Sequence, residues 1–352
     1  MPARKNNPYS LIFGKEPKQM ISRSSAMAEV VEVFCESEPS QQVFMITGVR
    51  GSGKTVLMTE ISKEIEKKEE WIVVELNPEN DLLNGLAAKL SGENSLATLF
   101  RNAKINLSVL GLGIGIEGVA PIRDIESALI KMLESLKKQK KRILVTIDEA
   151  VNTKEMRAFA SAFQIFIRKD LPIFLLMTGL YENIDVLQNE KHLTFLYRAP
   201  KLELRSLNIR TIAENYKKNF AIEDGVALKM AKLTQGYSFA FQVLGYFTGE
   251  NDGRMEKALP QVRQHLEDYV YEKIWADMSA RDRKIAYGIA ISKNGKISEV
   301  REILGIETNE FNPYRKRLIR RGIINGEERG YVHFTLPMFA DFVKDMYDDG
   351  DE

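Results

Sequence analysis

Apolar residues in the first 205 positions alternate between helical stripes and short unbroken runs. Met27, Val30, Val31 and Phe34 recur at helical spacing, and VFMIT (43–47) follows as a run of strand formers. Val56, Leu57, Ile61 and Ile65 then mark one face of a helix, and WIVVEL (71–76) reads as a buried strand. Leu82, Leu83, Leu86 and Leu90 predict a helix near 81–90. A further helix over 125–138 carries Ile125, Ala128, Leu129, Met132, Leu133 and Leu136 on one side, with Asp124 as its N-cap. ILVTIDEA (143–150) is a buried strand ending in two acids; a helix with Met156, Phe159, Ala160, Phe163 and Ile167 leads to the strand PIFLLMTG (172–179). Helices alternating with buried strands predict a parallel α/β sheet. Residues 91–122 are the least regular part, and LSVLGLGIGIEGVAP, which alternates apolar residues with glycine, predicts an extended hairpin.

From about residue 206 the strands stop. Helical patterns at 209–220, 225–235, 238–249 and 257–277 predict an all-α lid and a connecting helix. The last segment changes character again. Ser279 caps a helix of about 280–291, and Ser298 caps one at 299–304 ending at Gly305. A third helix spans 310–322, with Pro313 in its first turn. IIN-GEERG-YVHFTL then reads as strand, turn, strand, and MFADFVKDMY as a closing helix, which together predict a winged helix-turn-helix. The expected domains are 1–205, 206–277 and 278–352.

The chemistry concentrates where the first strand ends. Gly48, Val49, Arg50, Gly51, Ser52, Gly53, Lys54 and Thr55 match the phosphate-loop pattern G-x-x-x-x-G-K-[ST]. The glycines let backbone N–H groups turn inward around a polyphosphate, and the following helix aims its positive end at it. Lys54 is placed to reach the β- and γ-phosphates of ATP, and the Thr55 hydroxyl to ligate Mg²⁺. The strand 143–147 delivers Asp148 and Glu149 to the sheet edge where ligands bind, Asp148 for the Mg²⁺ shell and Glu149 to polarise the attacking water. Thr178, at the next strand tip, is placed to contact the γ-phosphate or the lytic water, or else to cap the helix that follows. A second glycine pattern, Gly113-Ile-Gly115-Ile-Glu-Gly118, matches the dinucleotide fingerprint but is followed by Val119, Ala120 and Pro121, so no helix opens to hold a pyrophosphate.

Composition removes other classes. Net charge is +1, so attraction to nucleic acid has to come from a local patch. One cysteine, Cys35, and three scattered histidines, His192, His265 and His333, offer neither a disulfide framework nor a zinc site. No apolar run approaches the roughly 18 residues that span a bilayer. The N-terminus has positive charge without an apolar stretch, so the expectation is a cytoplasmic protein with no membrane partner. Lys137–Arg142 and the acidic end Asp348–Glu352 read as solvated segments.

GVRGSGKT, ILVTIDEA and LLMTG, followed by FLYRAPKLELRSLN and a helical lid, resemble the archaeal-type ATPases, between the signal-transducing STAND ATPases and the AAA-type origin-recognition initiators. The resemblance covers most of residues 8–345 and implies an α/β P-loop NTPase fold of the ASCE, AAA-like kind with a helical lid. It implies that NPYSLIFGKEPKQMISR (7–23), Arg23 included, helps frame the adenine. It also implies that Arg198, before the last strand, senses the γ-phosphate within its own subunit or across a homo-oligomer interface; a surface ion pair is the alternative for Arg198. Two departures stand out. Gly236-Tyr-Ser-Phe-Ala-Phe241 has neither the lid arginine of initiators nor the G-x-P of STAND proteins, and Ser22-Arg23 replaces a glycine-arginine pair. Both point to slow turnover.

The third helix of the C-terminal segment concentrates Arg315, Lys316, Arg317, Arg320 and Arg321, with Tyr314 and Asn312 at its N-terminal end. Such a helix suits a major groove, phosphate contacts positioning it and base edges specifying it. The sequence therefore predicts an ATP-binding, slowly hydrolysing switch that binds double-stranded DNA. The alternative is a STAND-like signalling or defence ATPase that oligomerises on ATP and uses the winged helix for protein contacts.

Overall fold

The computed structural model describes residues 7–12, 17–191 and 193–348. His192, residues 13–16 of the opening segment and the acidic end 349–352 lie outside the described residues. The chain divides into two compact units, one of residues 23–47 and 54–203, the other of residues 1–22, 48–53 and 204–352.

The first unit is a five-stranded parallel sheet. In chain order its elements are α1 (Ser24–Cys35), β1 (Val43–Thr47), α2 (Lys54–Glu66), β2 (Trp71–Leu76), α3 (Leu82–Gly92), α4 (Asn94–Asn102) and α5 (Ile125–Lys138). Then follow β3 (Arg142–Ile147), α6 (Lys154–Arg168), β4 (Ile173–Gly179), α7 (Tyr181–Gln188), α8 (Thr194–Arg198) and β5 (Lys201–Glu203). The strand order is β2-β3-β4-β1-β5, so β4 lies between the strand that leads into the phosphate loop and the strand that ends at Asp148. Burial on both faces explains the unbroken apolar runs: β1 and β4 are buried at every position.

The sheet's two faces carry different side chains because strand residues alternate. Met45, Val145, Leu175 and Met177 join α3, α5 and α6 in one core, with Phe159, Phe163 and Phe166 filling it. On the other face Phe34 of α1 meets the rings of Phe44 and Phe174 at 5.4 and 5.2 Å, and Trp71 stands 4.8 Å from Phe174. Arg142 closes this cluster by stacking over Trp71 and donating to the carbonyls of Phe34 and Glu36 at 2.8 and 2.9 Å. Part of the cationic run 137–142 is thus tied to the fold, Lys137 pairing with Asp170.

Residues 107–121 do not form the expected hairpin. Gly111, Gly113 and Gly118 have φ of +71°, +70° and +74°, which no strand accommodates. The stretch instead wraps around the buried side chain of Asn106, whose Nδ2 donates to the carbonyls of Ile116 and Val119 at 3.1 and 2.7 Å. Helix α4, ahead of it, has no counterpart in the sequence reading. Nothing helical opens at Gly118; α5 begins at Ile125, with Asp124 accepting the Ser127 N–H as expected.

The second unit is mainly helical from residue 204. It comprises α9 (Ile209–Phe220), α10 (Asp224–Leu233), α11 (Ser238–Glu250) and α12 (Met255–Leu266), a π-helical turn Glu267–Tyr271, and α13 (Glu272–Ala276). A C-terminal module follows: α14 (Ala280–Ile291), α15 (Ile297–Leu304), α16 (Thr308–Arg320), the antiparallel strands β6 (Ile324–Asn325) and β7 (His333–Phe334), and α17 (Phe339–Asp348). One apolar core runs through this unit, from Tyr216 and Phe241 to Tyr271, Phe311 and Phe339. Two helix starts differ from expectation. The first residue of α15 is Ile297, so Ser298 lies inside it; α16 begins at Thr308, where Glu307 and Glu310 form a capping box, which leaves Pro313 inside the helix. Among the described residues no helix is long and apolar enough to cross a membrane.

Candidate nucleotide site

Within the sheet unit, the strand tips assemble a small network of oxygens. Asp148 follows β3 directly. Its Oδ2 accepts the Thr55 hydroxyl at 2.8 Å, and its Oδ1 accepts the hydroxyl of Thr178. The Thr178 Oγ1 in turn accepts the backbone N–H of Glu149 at 3.1 Å, and the Thr178 carbonyl accepts the N–H of Ala150 at 2.8 Å. Thr178 is wholly buried and pairs with Ile46 across β1 and β4. Its hydroxyl is thus committed to holding the Asp148-Glu149 turn, and α7 takes no side-chain cap from it.

Glu149 itself is exposed and has φ of +52°. A non-glycine residue held in the left-handed region costs about 1 kcal/mol or more. Here its N–H donates to Thr178 Oγ1 and Asp148 Oδ1, both at 3.1 Å, and these two bonds hold it there. The turn leaves Glu149 exposed at the sheet's C-terminal edge.

The pair Thr55 and Asp148 suits a magnesium ion. Mg²⁺ takes one or two protein oxygens beside phosphate and water, and adjacent ligands of its octahedron stand about 2.9 Å apart. The 2.8 Å between Thr55 Oγ1 and Asp148 Oδ2 matches that spacing. Lys54, the first residue of α2, is 9% exposed. Arg23 stands at the N-cap of α1; burial lowers its pKa, while the Glu60 carboxylate of α2 opposes the fall. Arg198 is not brought to this network. It is exposed at the end of α8, before β5, and β5 runs parallel to β1 with Lys201 opposite Met45. That register puts Arg198 toward the opposite edge of the sheet from the Asp148 and Thr178 tips.

Within the second unit, residues 48–53 of the loop are gripped through their carbonyls. The Tyr237 hydroxyl donates to the Arg50 carbonyl at 2.7 Å, the Phe239 N–H to that of Gly51 at 3.1 Å, and the Ser238 hydroxyl to that of Ser52 at 2.9 Å. Gly51 and Gly53 have φ of +73° and +91°, and a Cβ on Gly51 would collide with the Tyr237 hydroxyl. Tyr237 is buried, which pushes its phenol well above the usual tyrosine range and keeps it a donor. On another side of the loop, Val49 lies against the turn that ends α16: a Cβ built on Gly322 would stand 3.5 Å from the Val49 Cβ. The sequence reading noted 236–241 only for what it lacks. The signal available was a polar Tyr-Ser pair opening an otherwise apolar helix.

The basic helix α16 is less uniform than its sequence suggests. Arg317 makes an ion pair with Asp282 at 2.6 Å and donates to Ser279 Oγ at 3.0 Å, so it serves the cap of α14. Arg321 donates to the Asp277 carbonyl at 3.4 Å, and the Arg315 guanidinium lies against Gly326 of the hairpin turn. Tyr314 is half-buried with Arg317 stacked over its ring at 4.9 Å. Asn312, Lys316 and Arg320, spaced by four, form the exposed stripe.

A phosphate loop after a central strand, with a carboxylate pair on the strand beyond its neighbour, defines the P-loop ATPase class. The chain belongs to the archaeal ATPase family: the model of the ATPase domain predominantly from Archaea matches residues 21–196, half of the chain. A domain of unknown function, DUF8462, matches residues 268–343. No curated protein sequence matches significantly. Among solved structures, the fold is similar to that of a Walker-type ATPase of Pyrococcus abyssi, with a TM-score of 0.65 at 17% identity, over 92% of this chain and 96% of that one. It is also similar to the ORC2 protein of Aeropyrum pernix in its ADPNP-ADP complexes, with a TM-score of 0.59 at 15% identity over 96% of each chain.

The Thr178 network carries its own prediction. Thr178→Val keeps the shape but removes the donor to Asp148 and the acceptor for Glu149 N–H. We expect a stability loss of about 1–3 kcal/mol from the stranded groups. ATP turnover should fall about tenfold, because Glu149 loses its support. Denaturant melts and phosphate release on one preparation check both.

Proposed function

We propose that the chain is an ATP-controlled switch that binds duplex DNA through α16, as the recognition helix of a winged helix-turn-helix. The observation that carries this reading is the contact of Val49 with the Gly322 turn, because it joins the phosphate loop to the end of the basic helix. A ligand that shifts the loop would thereby bias the helix, and a switch of this kind needs binding more than rapid turnover. The ORC2 protein of Aeropyrum pernix, whose fold is similar, was solved with adenine nucleotides bound, which supports ATP and ADP as the ligands.

In this reading Gly48–Gly53 cradle the phosphates and Lys54 neutralises the β- and γ-groups. Thr55 and Asp148 would hold Mg²⁺, which would supply charge stabilisation to the transferring phosphoryl group. Glu149 orients a water for in-line attack and accepts its proton, the bond to the bridging oxygen of ADP breaking as the new P–O bond forms. In the same reading Arg198 senses the γ-phosphate held by a neighbouring subunit. Arg23 contributes to the base side of the site.

DNA contact falls to Lys316 and Arg320, with Asn312 nearest the base edges and Arg329 on the wing. A mobility-shift titration tests it. Lys316→Ala and Arg320→Ala should each weaken duplex binding several-fold and lower the log–log salt slope by about 0.9. Arg317→Ala should act differently. It leaves the Asp282 carboxylate, which is 3% exposed, with its Ser279 hydrogen bonds but without this cation, and should destabilise the protein by about 2 kcal/mol. A second reading, in which the module contacts protein, is favoured by the engagement of Arg317 with Asp282 and of Arg321 with the Asp277 carbonyl. Unchanged duplex binding in the Lys316→Ala and Arg320→Ala double variant would select it.

A further inference from the structure

We propose that Tyr237-Ser238-Phe239, at the start of α11, is a brace that sets the phosphate loop in its nucleotide-binding shape, with Tyr237 and Ser238 as positioning residues. The inference rests on the nucleotide reading of the loop and assigns it a support that acts through the carbonyls. Three successive carbonyls, of Arg50, Gly51 and Ser52, each accept a hydrogen bond from a donor in 237–239. A trans peptide is planar, so its C=O and the next N–H point in opposite directions. Holding those three carbonyls against α11 therefore turns the N–H groups of Gly51, Ser52 and Gly53 to the opposite side. The Ser52 N–H closes a turn onto the Val49 carbonyl at 3.2 Å, and peptide planarity turns those of Gly51 and Gly53 away from the brace, where an anion would meet them in this reading.

Two further features belong to the same device. Gly51 permits the Tyr237 hydroxyl to reach the loop at all, since any side chain there would occupy its place. The brace also sits in the segment that carries neither a lid arginine nor a G-x-P proline. It supplies no charge to the nucleotide; it fixes the backbone that does the binding. Loop and lid are thereby linked: a nucleotide that orders the amides also strengthens the carbonyl contacts, because both sets belong to the same peptide planes.

Calorimetric titration of the full chain with MgADP, which avoids turnover, tests the brace. Tyr237→Phe removes one hydroxyl and should weaken ADP binding about five- to tenfold. Ser238→Ala should weaken it about threefold, whereas Ser238→Thr, which keeps a hydroxyl, should stay within twofold of the wild type. Amide hydrogen exchange at Gly51 and Gly53 in the nucleotide-free protein should speed up in Tyr237→Phe and Ser238→Ala. Should Tyr237→Phe fail to fold, the Ser238 pair carries the test alone. A purely structural role would lower the melting temperature and leave the ADP constant untouched. Wild-type affinity in both Tyr237→Phe and Ser238→Ala, or in Ser238→Ala alone where the tyrosine variant does not fold, overturns the brace and leaves the nucleotide site standing. Absence of ADP binding in the wild type overturns the site itself, and the brace with it.

Discussion

Lys54→Ala should lose ATP binding by at least a hundredfold. Lys54 opens α2 immediately after the loop glycines, and its side chain is largely withdrawn from solvent. A triphosphate brought there meets one fixed ammonium in a weakly screened position, where charge-assisted hydrogen bonds are about twice as strong as neutral ones. Alanine removes that charge and leaves the phosphates to the neutral loop amides, a loss of about 3 kcal/mol or more in binding. The fold should survive, since alanine is the best helix former and α2 is anchored by Leu57, Met58, Ile61 and Ile65. Titration with a fluorescent ATP analogue reads the effect. Wild-type affinity in Lys54→Ala would remove the site assignment.

The second large effect separates binding from chemistry. Glu149→Gln should retain ATP affinity within about threefold and reduce turnover by two to four orders of magnitude, the range that a general base supplies. Glutamine has nearly the same size, and the backbone bonds that hold φ at +52° use the Glu149 N–H rather than its side chain. Only the capacity to accept a proton is lost. Single-turnover measurements with labelled ATP give both quantities at once. Turnover at the wild-type rate would exclude Glu149 as the base and shift the role to another group at that edge.

Much of the sheet was legible because its strands are buried on both faces and therefore read as apolar runs. WIVVEL became β2 at its stated limits, and β1 and β3 end at Thr47 and Ile147, where their apolar runs give way to Gly48 and to Asp148-Glu149. What remained hidden depended on pairings distant in sequence. Tyr237 meets Arg50 across 187 positions, and Arg317 meets Asp282 across 35. Nothing in a basic helix says which of its arginines are already occupied. The glycine-rich stretch 107–121 misled for a different reason. Apolar alternation suggests a strand, but three glycines with positive φ and one buried asparagine settle it as a loop. Thr178 was located correctly at its strand tip, yet its partners could be found only once β3 and β4 were seen side by side.

In the proposed switch, nucleotide state governs the DNA affinity of the C-terminal module. The most direct test is the dissociation constant of the Glu149→Gln protein for duplex DNA, measured at one salt concentration with MgADP and again with MgATP. Coupling between two sites of this kind is typically 5- to 150-fold, and a change of at least fivefold is expected here. Equal constants in the two nucleotides, with duplex binding and nucleotide saturation both verified, would contradict it.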